Sequence, residues 1–177
     1  GANGAGKTTT LRMLGTLLEP THGNATIAGY DIRKNPQEVR RSIGFLSGST
    51  ALYGRLTARE MIQYFGQLNN LRGTDLSTRV DELIERLKIG EFENGRCDKL
   101  STGQKQRVSI ARSIVHRPPV MIFDEPTSGL DVMTSQTIMA FIEQCRIDNL
   151  TVVFSTHIMS EVERLCDRVA IVHHGII

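Results

Sequence analysis

The sequence lacks most of the features that mark specialised classes of chain. It holds only three cysteines, Cys97, Cys145 and Cys166. They are widely spaced, odd in number and without a CxxC pair, so they read as reduced thiols of a cytosolic protein, not as a disulfide framework or a zinc site. Proline is scarce, with five in 177 residues, and 40% of the chain is apolar, enough to bury a real core and to exclude disorder for its body. No apolar run approaches the roughly 18 residues a membrane helix needs, and no basic leader precedes an apolar segment; any membrane role is expected to come through a partner chain. An excess of one charge is missing too. The net charge of +2 comes from 21 basic and 19 acidic residues spread along the chain, which argues against nucleic acid as the main partner. Arg33, Lys34, Arg40 and Arg41 around Pro36 read as a solvated face.

What is present is punctuated and alternating. The opening GANGAGKTTT fits G-x-x-x-x-G-K-[ST] over residues 1–8. Such a loop normally hangs from a buried strand, and none precedes it here, so the chain reads as a fragment whose amino-terminal strands are missing. Leucines at helical spacing predict a helix over 8–18, ended by Pro20, and short strands are expected at 25–28 and 43–46. A period near 3.6 then runs through 57–89. Ser101 followed by Gln104 offers a capping box for a helix reaching Val115. Val120, Met121, Ile122 and Phe123 form a continuous apolar run, the mark of a parallel strand covered on both faces. A helix at 133–145, a strand at 151–155, a helix at 158–166 and a last strand at 169–172 complete an α/β alternation. The expected division is a nucleotide-binding core, 1–48 and 117–177, with an inserted helical subdomain at 49–116.

The glycines of the loop let the backbone wrap phosphate oxygens with its amides, and the following helix adds its positive end. Asn3, Gly4, Gly6, Lys7, Thr8 and Thr9 are therefore candidate phosphate contacts. Lys7 would neutralise the β and γ phosphates, and the Thr8 hydroxyl would bind magnesium. Thr9 leans toward phosphate, whereas Thr10 reads as an exposed first-turn residue. The 120–123 strand delivers Asp124 and Glu125 to the carboxyl end of the sheet, where α/β ligands bind. There Asp124 is suited to magnesium and Glu125 to accepting a proton from an attacking water. Taken alone, the acidic pair could instead cap a helix leading into Pro126.

At 98–107 the sequence reads DKLSTGQKQR, which resembles the LSGGQ signature of ABC ATPases. The resemblance spans essentially the whole chain in the family's order: the phosphate loop, the signature at 100–104, MIFDEP at 121–126, SGLD at 128–131 and the histidine of STH, His157. It implies a P-loop NTPase core of ABC ATPase type that binds ATP and Mg2+. It further implies head-to-tail pairing with a second ABC ATPase domain, most simply a second copy. Ser101, Gly103 and Gln104 would then meet the γ phosphate of ATP held by that partner, Asp131 would couple the two sites, and His157 would contact the γ phosphate and orient the water with Glu125. Ser101 is equally a plain helix cap, and both readings can hold, since the cap builds the anion site. Transmembrane permease subunits and a peripheral place on the cytoplasmic face of the cell membrane are implied as well. The stretch STALYGRLTARE looks most like bacterial exporters of the sodium-extrusion and drug or polysaccharide efflux type.

Three departures stand beside the match. Gly48 occupies the position where the family has a glutamine that contacts magnesium, leaving the hydroxyls of Ser47 and Ser49 as substitutes. Thr102 replaces the second signature glycine, and the adenine-stacking aromatic, which the family carries before the loop, is absent from this chain. His22, His116, His173 and His174 make no case for a metal site, and Lys105 and Arg107 are not expected to be catalytic. Competing functions within the superfamily are DNA maintenance, for which the helical lobe is too short to hold a coiled coil, and translation, which would need two such cores. A nucleotide-regulated scaffold without turnover is disfavoured by Glu125 and His157.

Overall fold

A computed structural model of the chain describes residues 4–47 and 51–177. The described residues of Gly1–Gly48, Pro118–Ser128 and Ile142–Ile177 form one compact unit, and those of Ser49–Arg117 and Gly129–Phe141 form another.

The first unit is built on a three-stranded parallel sheet, order β3-β4-β5, of Ile43–Leu46, Val120–Asp124 and Thr151–Ser155. β4 is central and buried along its whole length, as its unbroken apolar run requires. Its register sets Phe123 against Leu46 on one side and Asp124 against Ser155 on the other, which aligns the carboxyl ends of β4 and β5. Helix α1 (Lys7–Leu14) packs Leu11 into a core shared with Ile32, Val39, Ile43, Val120 and Ile122.

Several sequence expectations change here. The helix expected over 8–18 stops at Leu14, because Gly15 ends it and Thr16 turns left-handed at φ 58°. Leu17 and Leu18, counted toward its periodicity, are exposed. The strand expected at 25–28 is half of a hairpin, β1 (Thr26–Ile27) with β2 (Tyr30–Asp31). Ala28 and Gly29 both have positive φ, 49° and 85°, the geometry of the tight turns that match strand twist. The basic cluster around Pro36 flanks and enters a short helix, α2 (Pro36–Ser42), with proline in its first turn and Val39 buried beneath it. Its four cations are exposed, as a solvated face requires. The strand expected at 169–172 does not form: Val169 and Ile171 are exposed, and a strand exists only by pairing, for which the segment has no neighbour among the described residues.

The second unit is helical: α3 (Ala58–Leu68), α4 (Gly73–Arg86), a 3-10 turn at Gly90–Phe92 and α5 (Thr102–Ile114). α3 opens with a full capping box between Thr57 and Glu60 and buries Met61 and Ile62. α4 contributes Val80, Leu83 and Ile84 to the same interior. The long helix α6 (Val132–Ile147) belongs to this unit as far as Phe141, whereas the sequence had suggested that all of 117–177 joins the α/β core. Two contacts hold its first part there: Gly103 of α5 abuts Thr134, and the Arg86 guanidinium lies 5.7 Å above the Phe141 ring. α7 (Met159–Leu165) follows β5 in chain order.

A buried guanidinium closes α5. Arg79, only 6% exposed, donates to the carbonyls of Ile114 at 2.9 Å and Val115 at 3.2 Å and to Glu82 Oε1 at 2.8 Å. Helix ends carry carbonyls without intrahelical partners, and burying them unsatisfied is costly. Arg79→Met, which keeps the bulk and deletes the donors, should lower the free energy of unfolding by about 1–3 kcal/mol in urea titration; an unchanged midpoint would show that water replaces the guanidinium.

Candidate functional site

The first half of the site is the start of α1. Gly6 precedes it at φ 107°, a conformation that L side chains rarely adopt, so glycine is required where the chain turns into the helix. Gly6, at the cap position, has no side chain to bind the first amides of α1, and the first turn carries no acid. The amides there, which have no intrahelical partner, and the positive helix end suit an anion. Lys7 and Thr8 are half-buried and Thr9 and Gly4 exposed. Thr10 turns back on its own helix, its hydroxyl donating to the Gly6 carbonyl at 3.0 Å. Gly1 and Asn3 lie outside the described residues, as do Gly48 and Ser49; Ser47 is half-buried.

The second half is the end of β4. Asp124 is buried, and its Oδ1 accepts the Ser155 hydroxyl at 2.6 Å. Glu125, one residue on, has a left-handed backbone at φ 48°. Its amide donates to Ser155 Oγ at 3.0 Å and to the Ser155 carbonyl at 3.2 Å. One serine thus donates to the first carboxylate and accepts from the backbone of the second. The left-handed region costs a non-glycine residue energy and persists where surroundings enforce it; Ser155 supplies that enforcement. Glu125 Oε1 then faces two potential cations, Lys7 Nζ at 3.8 Å and His157 Nδ1 at 3.5 Å. Both are longer than a tight hydrogen bond; the Lys7 contact is a charge attraction, and the His157 contact places an imidazole beside the same oxygen. The helix-cap alternative for the acidic pair falls away, because the next helix begins only at Val132.

Ser155 was expected only as a strand end. Its role depends on the β4–β5 register, which pairs Asp124 with Ser155 across the sheet and leaves no local pattern in the sequence. The available signal was a hydroxyl residue closing an apolar strand.

In the helical unit, Ser101 and Gln104 form the expected capping box: Gln104 N donates to Ser101 Oγ at 3.2 Å, and Ser101 N donates to Gln104 Oε1 at 2.9 Å. Ser101 and Thr102 are exposed and Gly103 is buried. A Cβ at Gly103 would stand 2.8 Å from Thr134 Oγ1 and 3.0 Å from its methyl, so only glycine fits that contact. Thr134 is in turn bound to Asp131, donating its amide at 2.8 Å and its hydroxyl at 2.7 Å to the two carboxylate oxygens. Asp131 is therefore the cap of α6, and those bonds, the backbone one foremost, hold its pKa below the ordinary value.

The arrangement offers hard oxygen donors, the Thr8 hydroxyl and the Asp124 carboxylate, near a helix end suited to phosphate. Among the described residues no group of three or more His, Cys, Asp or Glu could hold a metal ion. A cation bound here would complete its shell from water and phosphate, as Mg2+ commonly does.

A phosphate-suited helix start, a parallel strand ending in Asp-Glu and a separate helical unit define an α/β P-loop NTPase with an inserted helical subdomain. Comparison with known proteins agrees. Residues 1–128 match the ABC transporter family, to which the chain belongs. It is 46% identical over 176 residues to the ABC transporter ATP-binding protein NatA of Bacillus subtilis, covering 99% of this chain and 72% of that protein. It is 35% identical to the linearmycin resistance ATP-binding protein LnrL of the same organism, covering 99% of this chain but only 56% of the relative. Among solved structures it resembles a dimeric post-hydrolysis state of the ATP-binding cassette MJ0796 bound to ADP and Pi. The TM-score is 0.86 at 30% identity, over 98% of this chain and 79% of that one. No helix among the described residues is long and apolar enough to cross a membrane.

Gly103→Ala should destabilise the helical unit, and Thr134→Ala in the same chain should recover part of the loss. A double-mutant cycle read by urea unfolding is expected to give a coupling of about 0.5–3 kcal/mol; strict additivity would remove the contact as the reason for the glycine.

Proposed function

We propose that the chain is the ATP-hydrolysing part of a membrane exporter, working as a head-to-tail pair of cassettes on permease subunits at the cytoplasmic face of the membrane. The observation that carries this reading is the meeting of Lys7 and His157 on one oxygen of Glu125, with Lys7 at the start of a helix whose cap residue is a glycine.

In this reading the triphosphate lies along the start of α1, held by backbone amides at Asn3, Gly4 and Gly6 and by the Lys7 ammonium, with the Thr9 hydroxyl on its edge. Thr8 and Asp124 would hold Mg2+, which would supply positive charge to offset that of the phosphates. Glu125 accepts a proton from water as that water's oxygen attacks the γ phosphorus in line and the bridging oxygen leaves with ADP. His157 donates from its imidazole to a γ-phosphate oxygen and helps Glu125 orient the water. The second cassette supplies Ser101, Gly103 and Gln104, a hydroxyl and amides at the start of α5, against the same γ phosphate. Asp131, held rigid as a cap, passes the state of one site to the other. Transport is supported by the likeness to the ABC transporter ATP-binding protein NatA, and export by the likeness to LnrL, whose name ties it to linearmycin resistance.

Two substitutions in the intact subunit test the reading. Glu125→Gln should leave ATP affinity nearly unchanged, cut turnover by about 10²–10⁴-fold and trap a dimer visible by size-exclusion chromatography with ATP; full turnover would exclude Glu125 as the base. Lys7→Ala should weaken nucleotide binding itself, and an unaltered titration curve would overturn the assignment of the phosphate loop.

A further inference from the structure

β5 hands over to the His157 segment through two successive hydroxyls that face different partners. Ser155 binds Asp124 and the Glu125 amide, as described above. Thr156 donates its hydroxyl at 2.6 Å to Glu161 Oε2 and accepts the Ile158 amide at 3.0 Å. The other oxygen of the same carboxylate, Oε1, accepts the hydroxyl of Thr127 at 2.6 Å. Glu161 is 4% exposed and Thr127 5% exposed.

A carboxyl group removed from water must have its oxygens satisfied, and the two O–H donors do so, one at each oxygen. The donors are consistent with one another: Thr156 has a single hydroxyl proton, which it gives to Glu161, leaving its lone pairs for the Ile158 amide. The location of the two threonines matters more than their number. Thr127 lies two residues after Glu125, and Thr156 immediately precedes His157. One buried side chain therefore fastens the segment leaving the candidate base to the segment delivering the candidate histidine. The His157 side chain is 46% exposed, so packing does little to fix it and its ring follows the backbone at Thr156.

We propose that Glu161 is a positioning residue for ATP hydrolysis, which sets the separation of the Glu125 carboxylate and the His157 imidazole by binding Thr127 and Thr156 at once. It touches neither nucleotide nor water and acts through His157. The proposal rests on the reading of Glu125 and His157 given above. Removing the carboxylate would loosen the approach of His157 and leave the phosphate loop, on α1, as it was. Turnover would fall while nucleotide binding stayed.

The test is a double-mutant cycle in the intact subunit, reading turnover at saturating ATP, affinity for a non-hydrolysable ATP analogue and the thermal midpoint. Glu161→Ala should lower kcat by about 10- to 100-fold, the scale of a small misplacement of a reacting group, with analogue affinity unchanged. Glu161→Gln keeps the shape and one acceptor oxygen, and its NH2 can donate to the oxygen of the other threonine, so it should recover part of the rate. In a His157→Ala background Glu161→Ala should add less than about a twofold further loss, because the two changes act as one unit. Equal losses in both backgrounds, or a fall in kcat matched by a fall in analogue affinity, would make Glu161 a purely structural staple and overturn the proposal. If His157→Ala alone leaves kcat unchanged, the reading of His157 fails first and the proposal goes with it. Should Glu161→Ala not fold, Thr127→Val and Thr156→Val each delete one of the two hydroxyls at nearly constant volume and are expected to reproduce the same non-additive loss.

Discussion

The candidate chemistry depends on register: β4 and β5 run parallel with Asp124 opposite Ser155, and the side chain of that serine reaches both the carboxylate beside it and the amide that follows. A shift of one residue would turn Asp124 to the other face of the sheet and carry Ser155 away from it. The apolar run of β4 prevents such a slip, because every one of its side chains is buried and none can be exchanged for a polar neighbour at low cost. Hydrophobic burial thus fixes the position of a polar cluster. The register is set by packing, and the hydrogen bonds convert it into the orientation of Glu125.

The helical unit is organised by a comparable device on a smaller scale. Ser101 and Gln104 satisfy the first amides of α5, Asp131 does the same for α6, and the two helix starts touch where Gly103 lies against Thr134. Thr134 is shared: its hydroxyl holds the Asp131 carboxylate and its surface excludes any side chain at position 103. Rotation of the first turn of α5 would press on Thr134, which binds the residue that caps α6. Signature and SGLD segments, separate in sequence, are in this way mechanically adjacent.

Much of this was legible from residue order alone, and the reasons differ from case to case. The 120–123 run is unambiguous because four apolar residues between two prolines and two acids leave few structures open. The capping box at Ser101 is local, needing two residue types at one spacing, and it forms as expected. Periodicity misled where it counted residues that packing does not use: Leu17 and Leu18 extend a helical pattern but lie beyond the turn at Gly15 and Thr16. The 169–172 segment has a strand's composition but no pairing partner among the described residues, and composition cannot supply one. β2 and α2 leave little signal in the sequence: two residues are too few to show alternation, and α2 buries only Val39, so no apolar period marks it. Lys7, Glu125 and His157 could be named from motifs, yet their convergence on one oxygen is tertiary. So are the attachments of Ser155 and Glu161, ordinary residues until the sheet brings them to their partners.

The left-handed backbone of Glu125 has a consequence for how such a protein can drift. At φ 48° glycine would be the relaxed choice, so the chain stands to gain stability by the very change that removes its candidate base. Selection for robustness and selection for turnover pull in opposite directions at this one position. A lineage released from the need to hydrolyse nucleotide would be expected to lose the carboxylate early, with folding improved by the loss.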